Sequence, residues 1–85
     1  MCDPFYFDGI SDEAFTKVTA DLAEQGFHLN GPSGTVSGPF GIVLDYEWRS
    51  MSQSLKVVVR EKNFFVSCEQ IKERLAKSLS KYAHA

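Results

Sequence analysis

The chain is poor in most of the features from which chemistry is usually read. It has two cysteines, Cys2 and Cys68, too few for a disulfide framework and without metal-like spacing. Both are expected to be reduced. Its two histidines, His28 and His84, stand far apart without companion ligands, so neither a metal nor another cofactor is expected. No apolar run approaches the roughly 18 residues of a membrane helix. The opening "MCDPFYFDG" lacks a basic stretch followed by an apolar one, so no signal peptide is expected and the default compartment is the cytoplasm. A basic excess is missing too. A net charge of −2 speaks against general affinity for nucleic acid. Repeats, low-complexity tracts and linkers are absent as well, which leaves one domain over residues 1–85.

What the chain does have is apolar bulk. Apolar residues make up 44% of it, including seven Phe, three Tyr and Trp48. That suffices for a small core without crosslinks. Residues 1–9 form an extended aromatic arm. Three adjacent aromatics, Phe5, Tyr6 and Phe7, are rarely left in solvent, so the arm is expected to lie on the domain, as an edge strand for instance, with a partner-binding hook as the alternative.

"ISDEAFTKVTADLAEQG" reads as a first helix. Ser11 is its N-cap, Asp12 and Glu13 face the positive dipole end, and Ile10 with Phe15 forms a hydrophobic staple. Phe15, Val18 and Leu22 make one apolar stripe, and Gly26 suits the left-handed residue that ends the helix. Phe27 and Leu29 then alternate with His28 and Asn30 as on a short strand, "NGPSG" turns the chain, and a second strand starts near Thr35 with a bulge in "SGPFG". From Phe40 the alternation of Phe40, Ile42, Leu44, Tyr46 and Trp48 marks a half-buried strand. "LKVVVREK" returns against it after "RSMSQS". Placing Trp48 opposite Leu55, Tyr46 opposite Val57 and Leu44 opposite Val59 matches every apolar residue and sets Glu47 against Lys56.

"SCEQIKERLAKSLSKYA" reads as the second helix, with Ile71, Leu75, Leu79 and Tyr82 on one side. Residues 83–85 are expected to fray. The fold class is therefore α+β: a two-layer sandwich of helix, three-stranded antiparallel meander and helix, with both helices on one sheet face.

Few residues invite a chemical reading. Ser67 and Gln70 form a capping box that places Cys68 at the first helical position, where a thiol is activated by the dipole. Yet Cys68, Ile71 and Leu75 share the apolar stripe, which makes Cys68 a small buried hydrophobe first and a candidate reactive thiol only second. Phe64 and Phe65 seal the corner before it. His28 points away from the core. "GPSGTVSG" fits neither phosphate-binding fingerprint. Lys72, Arg74, Lys77 and Lys81 form a solvated basic face.

No catalytic residue is assigned, and an enzyme is not expected. The open sheet face is the candidate interface. It presents Val43 and Val58 among Asp45, Glu47, Lys56 and Arg60, with Phe5, Tyr6 and Phe7 of the arm beside it. The expected function is a small non-enzymatic interaction domain that contacts another protein or a second copy through this face, with no nucleic acid or membrane partner. The alternative is a carrier of a small apolar ligand held between helices and sheet.

Overall fold

The structure, a computed structural model, describes residues 2–82. The expected tail at 83–85, His84 included, lies outside the described residues. Strand β1 (Phe5–Phe7) is followed by helix α1 (Asp12–Glu24), strands β2 (Ser33–Ser37), β3 (Val43–Arg49) and β4 (Ser54–Glu61), and helix α2 (Cys68–Tyr82). The sheet is antiparallel throughout, in the order β1-β4-β3-β2.

The β3–β4 register is the one that the alternation demands: Trp48 opposite Leu55, Tyr46 opposite Val57, Leu44 opposite Val59, Glu47 opposite Lys56. Leu44, Tyr46, Leu55, Val57 and Val59 are all buried on one side. A one-residue slip would turn every one of them to water.

The expected three-stranded meander is corrected in two ways. The sheet has four strands, because the aromatic arm pairs with β4, Phe5 opposite Val57 and Phe7 opposite Leu55. In addition, Phe27–Leu29 is not a strand. The strand before β3 is Ser33–Ser37, and the chain reverses at Pro39–Gly41 in one turn of 3₁₀ helix. What reads as one bulged strand through "SGPFG" is two strands folded back on each other. Pro39 cannot donate to a ladder and Gly41 has φ +67°, so this segment turns more readily than it extends.

Strands β1 and β2 lie at opposite edges of the sheet, so α1 must cross it. A helix of 13 residues is about 20 Å long and four strands span about 14 Å, so one such helix makes the crossing. Both its ends are built as expected. Ser11 Oγ accepts from the Ala14 N–H at 3.2 Å. At the other end the Gly26 N–H reaches the Ala23 carbonyl and the Phe27 N–H the Leu22 carbonyl, with Gly26 at φ +96°. Helix α2 opens with the reciprocal capping box. Gln70 N–H donates to Ser67 Oγ and Ser67 N–H to Gln70 Oε1.

Ala14, Phe15, Val18 and Leu22 of α1, Ile71, Leu75 and Leu79 of α2, and the inward residues of the sheet form a single buried cluster. The helices therefore share one sheet face. Cys2 and Cys68 are not reduced: they form a disulfide with Cα atoms 5.6 Å apart. Continuing the β1–β4 register back from Phe5 brings Cys2 level with Arg60, where β4 leaves toward α2. The pairing of the arm thus carries Cys2 to the start of the helix. Cys68 is half-buried and, joined to Cys2, is no candidate nucleophile in this state.

Candidate functional site

The end of α1, the β2–β3 turn and the segment before α2 converge at one end of the core. Gly38 is required there. A Cβ on it would sit 2.1 Å from the Phe27 ring, so the ring lies directly on the backbone. A Cβ on Gly26 would come within 2.9 Å of Pro39, which presses the helix exit against the same turn.

Phe40 follows with φ 63° and ψ 25°, the left-handed region that a bulky residue rarely adopts. Its ring is 65% exposed rather than part of an inward strand face, which corrects the expectation for Phe40. Asn63 Nδ2 donates to the Phe40 carbonyl and ties this turn to the β4–α2 connection. On that connection Phe64 and Phe65 meet edge to face at 5.5 Å, yet they are 94% and 64% exposed. They do not seal the corner. All three rings, Phe40, Phe64 and Phe65, are thus largely in water.

Phe40 and Phe65 border a cavity of about 330 Å³. Val18 and Leu22 of α1, Ile71, Leu75 and Leu79 of α2, and Val36, Leu44, Tyr46 and Val57 of the sheet supply its walls. Phe27, Leu29 and Ile42 also line it, and the exposed Phe40 and Phe65 stand at its mouth. The Tyr46 ring faces the cavity while its hydroxyl is satisfied elsewhere. It accepts from the Asn30 N–H at 2.9 Å and lies 3.0 Å from the Asn30 carbonyl and 3.1 Å from that of Gly31. A volume above about 300 Å³ lies in the range of small-molecule sites.

The polar residues that line this cavity are Gln25, Gln70 and Arg74, beside Tyr46. Behind them the helices are latched together. Asp21 accepts from Ser78 Oγ and from Gln25 Nε2 at 3.1 Å, with Lys81 Nζ 3.9 Å away. Gln25 Oε1 in turn accepts from Arg74 Nε at 3.1 Å. Ser78 is buried and matched by this partner, and no buried side-chain N or O among the described residues lacks one.

The open sheet face is different. Asp45 accepts from Thr35 Oγ1 and from Arg60 Nη1 at 2.9 Å, and Arg49 reaches Glu47 at 3.3 Å. Lys56 lies 6.0 Å from the centre of the exposed Tyr6 ring. Val43 and Val58 are half-buried between these groups. Of the arm, Phe5 and Phe7 face the core, so of its three aromatics only Tyr6 joins this surface. His28 is exposed, although the segment that carries it is not a strand. Among the described residues no three His, Cys, Asp or Glu converge as a metal site would need. Nor is any helix long and apolar enough to cross a membrane.

Comparison with known proteins returns no matching family model, no matching curated protein and no matching solved structure. The residues missed at the level of sequence are those of the cleft mouth: Phe40, Phe65, Gln25, Gln70 and Arg74. The only sequence signal for them is the pair "GPFG" and "NFF", two aromatic clusters inside turn-forming residues.

Proposed function

We propose that the chain is a non-enzymatic binder of a small apolar molecule, held in the cleft between the helices and the sheet. One observation carries this reading: an apolar cavity of about 330 Å³ opens beside exposed aromatic rings, one of them, Phe40, on a left-handed backbone. Left-handed strain in a bulky residue costs on the order of 1–3 kcal/mol and concentrates at binding sites. An apolar ligand would cover both the cavity walls and the rims of Phe40 and Phe65. A disulfide is typical of oxidising compartments, which favours such a setting over the cytoplasm.

Methyl NMR tests the reading directly. Added decanol should shift the methyls of Val36, Leu44 and Leu79, which line the cavity, and spare those of Val43 and Val58 on the far face. Unmoved cavity methyls across a panel of apolar ligands would sink it. Trp48 is a poor reporter, because it stacks on Phe15 outside the cavity lining.

Contact with another protein or a second copy through the open face is the second reading. The half-buried Val43 and Val58 favour it, and the pairing of the charges around them, Asp45 with Arg60 across the strands and Glu47 with Arg49 along β3, weighs against it. A dimer mass by light scattering that falls to monomer with Val58→Asp would put this reading first.

A further inference from the structure

The mouth of the cleft is one-sided in its hydrogen bonding. Gln25 spends both ends of its amide, Nε2 on Asp21 and Oε1 on Arg74. Gln70 spends Oε1 on the Ser67 N–H, which leaves its NH₂. Arg74 spends Nε on Gln25, and its two terminal nitrogens make no hydrogen bond or ion pair among the described residues. Free side-chain donors therefore remain on Arg74 and Gln70, one of them cationic, while the amide oxygens of Gln25 and Gln70 each already accept one hydrogen bond. The nearest carboxylate in the latch, Asp21, is taken up by Ser78, Gln25 and Lys81, while Glu73 lines a polar groove that Gln25, Gln70 and Arg74 also line.

We propose that the ligand is a single-chain amphipathic anion, a medium-chain carboxylate. Its alkyl chain lies in the cavity and its head group takes the fork of Arg74 and the NH₂ of Gln70. This rests on the cleft being a ligand site. The planar guanidinium fork matches a carboxylate with two parallel donors. At about 30 Å³ per non-hydrogen atom, the share of a water in its liquid, the cavity holds roughly ten such atoms. That is the size of a chain of about eight to twelve carbons. A bare alkane would leave the mouth donors to water, and an alkyl cation would meet Arg74 with like charge.

Calorimetric titration of the full chain with monomeric decanoate and with decanol, on the native protein and on Arg74→Gln, tests the proposal. Decanoate is expected to weaken about fivefold or more in Arg74→Gln while decanol stays within about twofold, since the exposed guanidinium contributes modestly. Added salt at about 0.5 M should weaken decanoate alone. If Arg74 merely complements the C-terminal end of α1, which has no basic residue in its own last turn, the substitution lowers stability and leaves the decanoate-to-decanol ratio unchanged. That result overturns the proposal, as does decanol binding without decanoate, and either leaves the cleft standing. Binding of neither overturns the cleft reading itself and this one with it.

Discussion

The two ends of the same core are built from the same kinds of residue and packed in opposite ways. At one end Phe15 and Trp48 stack at 4.5 Å, nearly parallel, with Trp48 Nε1 donating to the Ile10 carbonyl and the Ile10 N–H to that of Gln53. At the other, Phe40 and Phe65 line an apolar cavity yet are largely exposed, and Phe64 stands in water against Phe65. A protein of 85 residues has little core to spare. Leaving aromatic area in water costs about 25 cal/mol per Å² that burial would have returned. The open end is thus the place where stability is given up, and the closed end is what makes that tolerable.

The sharpest way to break this contrast is to truncate one ring at each end. Phe15→Ala should cost about 3–5 kcal/mol, the range for a buried aromatic. Phe65→Ala should change stability by less than about 0.5 kcal/mol, as exposed substitutions do. Equal shifts in the urea midpoint would mean that the two ends do not differ.

Next in size is the disulfide, which joins Cys2 to Cys68 across 66 residues and anchors the start of α2 just after Phe65 and Val66. Closing a loop of this length contributes about 4 kcal/mol by chain entropy. The double variant Cys2→Ser, Cys68→Ser is expected to lose about that much. Amide exchange should rise in β1 before it rises in β3 and β4, which make the most extensive strand pairing. Uniform exchange across the sheet would show that the crosslink does not hold the arm.

A third comparison uses added volume instead of removed volume. Ala14→Leu at the closed end should cost about 1–3 kcal/mol by overpacking. Val36→Phe, which points a ring into the cavity, should be neutral or stabilising by up to about 1 kcal/mol while abolishing decanol binding. Destabilisation by both would mean that the cavity is closed in solution.

The hairpin and both helix starts were the legible parts. Strict alternation over Leu44–Trp48 and Leu55–Val59 fixed the hairpin register, and S-x-x-Q and the Ser11 cap placed both helix starts. The arm was expected on the domain, as an edge strand for instance, and it is one, but the strand count left it out because three aromatics pair as well with a partner as with β4. The disulfide depended on that pairing. Phe40 misled for a simple reason: its spacing from Ile42 and Leu44 keeps strand parity, although Pro39 and Gly41 on either side turn the chain. A cavity leaves no trace in the order of residues, since it is volume that the side chains do not fill.

The smallest expected effect falls on Phe40 itself and separates strain from function. Asn tolerates φ 63° better than Phe does, so Phe40→Asn should raise stability by about 0.5–1 kcal/mol. The same change removes a ring from the cavity mouth, so decanol affinity should fall several-fold. A more stable protein that binds less well is what a residue kept for its ring at the expense of its backbone would give. A less stable one would mean that the Phe40 ring supports the turn, and the strain would then have no bearing on the ligand.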